Sequence, residues 1–282
     1  RLTVLELLSP TGMTFCCDLE ALEMMKSWGL PAKQQSRLSV YVSDQTFTRD
    51  TMDFILDKLF PDPHKQMTNR KIVLESCAIT AYRRRADAID ILVCDDAPQF
   101  KNIARSLSLC WVHEGRHYKK LKPFFAMHRQ QVDTFLSDFW GYYRQLQAYK
   151  TSPSEQEAKR LRAEFDQLVS RKTDDDLLND RIEKTRHKKT ELLLVLDYPE
   201  IELHNNISEL GARVQARKRD VSLQTKNQAG TDAKDSFMTV MQTAKKLSVN
   251  TLNYVRDRLT QAHLPSLAEL IRQRSHLHCD AP

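Results

Sequence analysis

The chain has 282 residues, 41% of them hydrophobic and 28% charged, which excludes a disordered or collagen-like polypeptide and allows one large domain or two ordinary ones. Only 6 glycines occur, well below the usual share of about 7%, so long helices are expected and a turn-rich all-β fold is not. The formal net charge of +6 suits a polyanionic partner such as nucleic acid, though a mildly basic protein with no such partner is also compatible.

Leu2–Leu8 reads as a strand that turns at Pro10-Thr11-Gly12 and pairs back through Met13–Cys17 as a hairpin. Asp18 is placed to cap a helix carrying Leu19, Leu22, Met25 and Trp28 on one face, and Gly29 to stop it. Thr48 opens a helix with Met52, Ile55, Leu56 and Leu59 inward, ended by Pro61 and Pro63. A further helix is expected from Asn69 to Arg85. Ile89–Cys94 is apolar and β-branched apart from Asp90, a strand buried on both faces. Leu107–His113 reads as a second strand, with a short helix around Phe100–Ala104 between the two.

Residues 124–194 are helical in pattern. Phe135, Phe139, Tyr142, Tyr143, Leu146 and Tyr149 form a stripe better explained by core packing than by base stacking. Ala158, Leu161, Phe165 and Leu168 form a second seam, and Thr173 with Asp176 can cap a returning helix that carries Leu177, Leu178 and Ile182. The arm is expected to fold as an antiparallel pair. Helices follow from about Asn206 to Arg217, then from Thr231 with Phe237, Val240, Met241, Ala244 and Leu247 inward, then near Leu252–Leu259 and Leu267–Arg274.

The six cysteines, Cys16, Cys17, Cys77, Cys94, Cys110 and Cys279, include no C-x-x-C pair, which speaks against a zinc ribbon. No H-E-x-x-H occurs, so a zincin is excluded. No signal peptide is visible and no apolar run approaches the roughly 18 residues of a membrane span. A cytoplasmic location is the expectation. The chain opens with Arg1 directly in a strand pattern and reads as a piece whose N-terminal part is elsewhere.

Three constellations could carry chemistry. Asp95 and Asp96 end a buried strand, where two hard oxygen donors suit a magnesium ion completed by water and phosphate oxygens. The same residues could merely cap the turn into Ala97-Pro98. Glu209 lies on the first turns of a helix opened by Asn205-Asn206, where an acid also compensates the helix dipole. His113, Glu114, Arg116 and His117 bunch where the second strand runs into a helix, as a metal or base site or as hydrogen-bonded structural groups. Basic patches lie at Arg83–Arg85, at Arg116–Lys122, and at Arg213, Arg217, Lys218 and Arg219. Arg213, one turn from Glu209, could face a phosphate held by the same metal or simply solvent.

In order, these blocks are a strand ending in Asp-Asp, Cys110-Trp111-Val112-His113 with Arg116, a helical insertion, Asn205-Asn206 with Glu209, Arg217-Lys218, and a helix with Thr243-Ala244-Lys245. The chain thereby resembles the catalytic region of the insertion-sequence 66 family of bacterial DDE transposases, over roughly residues 88–260. The resemblance implies an α/β, RNase H-like mixed sheet, incomplete here, with large helical insertions. It divides the chain into a residual core hairpin at 1–17, a helical insertion at 18–86, a core with the second catalytic Asp at 87–123, a helical-hairpin insertion at 124–196, the catalytic Glu helix at 197–222 and a C-terminal helical region at 223–282.

The implied function is metal-dependent DNA cleavage and strand transfer. Asp95 and Glu209 would be catalytic, with Asp95, Asp96 and Glu209 as ligands for Mg2+ or Mn2+. His113, Arg116, Arg213, Arg217 and Lys218 would contact phosphates. The implied partner is DNA, both transposon ends and target, bound by a homodimer or higher assembly in a bacterial, nucleoid-associated setting with no membrane. The sequence departs from the pattern in carrying His204 before the two asparagines, Asp220–Asn227 in place of an aromatic-rich stretch, and no suitable first acid. That acid is expected on a preceding segment, leaving this chain inactive alone. The alternative is a non-catalytic DNA-binding or assembly remnant.

Overall fold

The computed structural model describes the chain apart from residues 10, 207, 211–212, 215, 218–224, 261–262 and 280–282. The chain divides into two compact units, Arg1–Asn205 and Asn206–Pro282.

The first unit begins with helix α1 (Leu2–Leu7), not the expected strand. Leu2, Leu5 and Leu8 recur at three-residue steps, and only a helix turns all three towards the same neighbours: Leu5 is buried, Leu2 and Leu8 pack beside it, and Leu7 is 80% exposed. Strand β1 (Phe15–Cys16) therefore has no hairpin partner before it and pairs antiparallel with β2 (Thr46–Phe47). Asp18 caps α2 (Leu19–Ser27) by accepting from the Ala21 amide at 2.8 Å, and Gly29 ends it at φ +84°. Ala21, Met24 and Met25 form its buried face, whereas Leu19, expected inward, is 72% exposed. Helices α3 (Ala32–Leu38), α4 (Arg49–Leu59) and α5 (Met67–Arg83) complete this part. Thr48 caps α4, and Met52, Ile55, Leu56 and Leu59 are buried as their spacing requires.

Strand β3 (Ile91–Cys94) runs parallel to β4 (Ser106–Leu109), pairing Ile91 with Ser106 and Cys94 with Leu109. Both strands are shorter than expected. In β3 only Cys94 is fully buried, and β4 stops at Leu109 because the chain is already helical from Trp111. A single 3-10 turn at Pro98–Phe100 replaces the expected connecting helix. Among the described residues the strands thus form two two-stranded sheets in a largely helical protein.

Helix α6 (Trp111–Lys119) leads into the arm, α7 (Ala126–Thr151), α8 (Glu155–Val169) and α9 (Asp176–Arg186), three helices where a pair was expected, followed by the short α10 (Lys189–Leu192). The stripe on α7 is core: Phe135, Phe139, Tyr142, Leu146 and Tyr149 are buried, as are Ala158, Leu161, Phe165 and Leu168 on α8. Asp175, not Thr173, caps α9, accepting from the Leu177 amide at 3.0 Å, and this turns Leu177 outward while Leu178 and Ile182 are buried.

In the second unit, residues 208–210, 213–214 and 216–217 are helical. Helix α11 (Gln228–Lys246) starts earlier than expected because Asn227 caps it, accepting from Gly230 at 2.8 Å. Its buried side chains are Met238 and Ala244, whereas Phe237 is 50% exposed. Helices α12 (Thr251–Thr260) and α13 (Leu267–Cys279) pack on it, and Arg274 donates to the last-turn carbonyl of Leu247 at 2.7 Å.

Gly115 sits where α6 packs against Phe139 and Trp140 of α7. A Cβ there would meet Trp140 Cη2 at 2.8 Å and Phe139 Cε1 at 3.2 Å. Gly115→Ala is predicted to destabilise the first unit by about 1–3 kcal/mol, read as a lower urea midpoint at unchanged slope.

Candidate functional site

The parallel pairing of β3 and β4 brings their C-terminal ends together, the edge of an α/β layer where ligands generally bind. Asp95 and Asp96 leave β3 there. Cys110 leaves β4 beside them, its amide donating to the Cys94 carbonyl at 2.9 Å. The next amide, Trp111, donates to Leu203 at 3.0 Å, which fastens residues 203–205 to the same strand end. A cleft of about 280 Å³ opens here, lined among others by Asp95, Asp96, His113, Glu114 and His117.

Trp111 holds this corner. Its side chain is fully buried, its Nε1–H donates to the Leu192 carbonyl at 2.8 Å, and its ring lies 5.1 Å from Phe139, 5.5 Å from Tyr142 and edge-on to Phe165 at 6.2 Å. With that ring fixed in the arm, the first turn of α6 presents His113 and Glu114 to the cleft. Arg116 Nη1 donates to His113 Nε2 at 3.0 Å, so the two form one unit.

The adjacent aspartates have different surroundings. Asp96 pairs with Lys101 at 3.1 Å and with Lys188 at 2.9 Å. Burial alone would raise its pKa, but these two ammonium groups outweigh it and hold the carboxyl below its usual range. Asp95 Oδ1 is buried and has no hydrogen-bond partner among the described residues. The same holds for His204 Nδ1 and Asn205 Oδ1, on the segment fastened to the strand end. Buried polar atoms without partners are costly, and a bound cation is one of the few explanations for an acceptor set of this kind. Cys94 is no competitor: burial, with the negative charge of Asp95 and Asp96, pushes its thiol up to about 12.

Behind the cleft lies a buried polar network that sequence reasoning missed. Glu114, 3% exposed, accepts from Thr185 at 2.5 Å, from Lys188 at 3.1 Å and from Arg181. Thr185 in turn accepts from the Tyr118 hydroxyl at 2.5 Å. Lys188 therefore bridges Glu114 and Asp96, tying the arm to the acid turn. Only the polar residue inside an otherwise apolar α6 face hinted at a partner, and nothing local named it. Partial burial and the nearby Arg181 lower the His117 imidazole from its ordinary pKa.

In the second unit Glu209 is half-buried and pairs with Arg213 at 3.1 Å, while Arg213 and Arg217 are exposed. Lys218 lies outside the described residues. Among the described residues no group of three or more His, Cys, Asp or Glu is gathered to hold a metal, and no helix is long and apolar enough to cross a membrane.

The described residues thus form a mixed helical and sheet protein in which strand β3 runs into two aspartates beside helix α6. The chain belongs to the IS66 transposase family, whose sequence profile matches residues 31–233. An uncharacterised protein of Sinorhizobium fredii, y4jO, is 34% identical over 169 residues, 60% of this chain and 52% of that protein. The chain thus spans about half the length of this curated relative. No solved structure matches it.

Burial would raise the Glu114 carboxyl, but the Thr185 hydroxyl, Arg181 and Lys188 outweigh it and lower its pKa. A depressed native pKa adds stability above the ordinary carboxyl range, and this is lost as the pH falls through the native value. Glu114→Gln is therefore predicted to cost about 3–5 kcal/mol at neutral pH, because it leaves the largely buried Arg181 without its anion while Lys188 keeps only Asp96. In urea titrations at successively lower pH the cost shrinks as the wild-type carboxylate protonates.

Proposed function

We propose that this chain is part of a DDE-type DNA transposase of RNase H-like ancestry, in which Asp95 and Glu209 are carboxylate ligands for magnesium or manganese. The observation that carries the reading is the buried, unpartnered Asp95 Oδ1 at the end of β3, beside a neighbour whose charge is already satisfied. Magnesium needs only one or two protein carboxylates, with water and phosphate oxygens for the rest, so the lack of a denser ligand cluster among the described residues is compatible with it. When bound, such an ion stabilises charge on the attacking and leaving oxygens of a phosphodiester.

The chain's own residues divide the remaining work. Asp95 supplies a hard oxygen donor. Lys101 and Lys188 occupy Asp96, which leaves Asp95 as the carboxylate of this turn with an oxygen open to the ion. Arg116 and its hydrogen-bonded His113 hold a non-bridging phosphate oxygen of DNA, and Arg213, Arg217 and Lys218 add phosphate contacts from the second unit. The partners are transposon ends and target DNA, bound by more than one copy of the chain.

The pairing of Glu209 with Arg213 favours a second reading, a DNA-binding protein without catalysis, in which the acids only balance charge. Manganese titration of the 282-residue chain, followed by electron paramagnetic resonance, separates the two. Asp95→Asn is expected to weaken binding by about a hundredfold or more, beyond the cost of an outer-shell partner. Glu209→Gln should also weaken it, and Asp96→Asn far less. Unchanged manganese binding in Asp95→Asn and Glu209→Gln would leave only the second reading.

A further inference from the structure

Apolar side chains are normally withdrawn from water, and large exposed ones that cluster mark binding surfaces. Phe124 is 92% exposed, Phe125 59% and Met127 57%, consecutive or nearly so where α6 hands over to α7. The tip is ordered by its neighbours. Pro123 is buried, Phe125 is the N-cap residue of α7, and its carbonyl accepts from the Arg129 amide at 3.1 Å. The Phe124 and Phe125 rings meet edge to face at 5.2 Å, and His128 packs edge-on against Phe125 at 5.5 Å. The rings are therefore held outward in advance of any partner.

Their surroundings are cationic. Between Glu114 and Asp133 the chain carries Arg116, Lys119, Lys120, Lys122 and Arg129 and no acidic residue. Lys119, Lys120, Lys122 and Arg129 are exposed, and no ion pair holds any of these four among the described residues. A second copy of the chain meeting this surface across a two-fold axis would oppose the same cations to each other. A nucleic acid satisfies both chemistries: phosphates take the lysines, and an aromatic ring takes the face of a base. Bases inside an intact duplex are already stacked, so the ring requires a base step that has opened or kinked.

We propose that Phe124 and Phe125 form a stacking wedge for an unstacked base, with Lys119, Lys120 and Lys122 holding the flanking phosphates. This deepens the DNA-transposase reading and rests on it. Helix α6 links wedge and cleft. His113 and His117 on it line the acid cleft, and its nine residues span about 13 Å and end in Lys119. The opened base would sit a few base steps along the strand from the cleft.

The test compares binding of the 282-residue chain to three fluorescent DNA probes of one generic sequence. They are a matched duplex, a duplex with a mismatched 2-aminopurine, and the single strand. The wild type should prefer the mismatched and single-stranded probes and change 2-aminopurine emission. The Phe124→Ala/Phe125→Ala variant should bind those probes about tenfold more weakly and the matched duplex within about twofold. Both rings are exposed, so its thermal unfolding should match wild type. The Lys119→Gln/Lys120→Gln/Lys122→Gln variant should weaken all three probes alike and flatten the salt dependence.

If the double variant keeps the preference for opened DNA, or the wild type binds DNA without any preference, the wedge is overturned while DNA binding stands. Absence of any DNA binding at low salt would overturn the transposase reading and the wedge together. The wedge also falls if the double substitution changes the oligomeric state in sedimentation and leaves DNA binding intact. The same holds if phosphatidylserine vesicles are bound through the two rings and opened DNA is not.

Discussion

The burial of Trp111 is the constraint on which the site depends. Its backbone amide fastens residues 203–205, its indole N–H fastens Leu192, and its ring is enclosed by aromatics of α7 and α8. One residue, through its amide and its side chain, thus joins the end of β4, the arm and the returning chain. The rest of α6 follows as a rigid body: the first turn faces the cleft, Gly115 meets Trp140, and the last turn runs out into the lysines. The arm is in this sense structural to the site, since without it the indole would have no enclosure and α6 no fixed direction.

Electrostatics then differentiates two carboxylates that are neighbours in sequence. Lys188, reaching from the arm, meets Asp96 and Glu114 together, and Lys101 meets Asp96 from its other side. Asp96 is satisfied as an ion pair, and Glu114 is satisfied in the buried network with Thr185 and Arg181. Asp95 alone of the three has a buried oxygen with no partner. A cation at Asp95 would meet an oxygen that no other group has to vacate, whereas Asp96 and Glu114 would first have to give up their ion pairs.

What was legible in the sequence was local. Thr48 and Asp18 cap helices where their positions say they should, and the seams of α7 and α8 are buried as their three- and four-residue spacing requires. Asp95 was visible as the end of an apolar run, and His113 with Arg116 as one block. The errors arose where local pattern is ambiguous or the partner is distant. Leu2–Leu7 is apolar enough to satisfy a strand or a helix period, and the choice is made by packing on α5. Phe15 pairs with Phe47 across a segment that no spacing rule spans. The resemblance already made Asp96 the weaker candidate of the two, but its ion pair with Lys188 was hidden for the same reason, since that lysine lies far along the chain and carries no sign of its destination.

The central claim is that the unsatisfied oxygen of Asp95 is a place for a divalent cation. The most direct measurement is an anomalous difference map from crystals of the chain grown with manganese. The account predicts a peak near Asp95 Oδ1 at roughly the 2.1 Å that hard cations take from oxygen. A map whose manganese peaks all lie away from Asp95, or a map in which Lys188 has turned to occupy that oxygen, would contradict it.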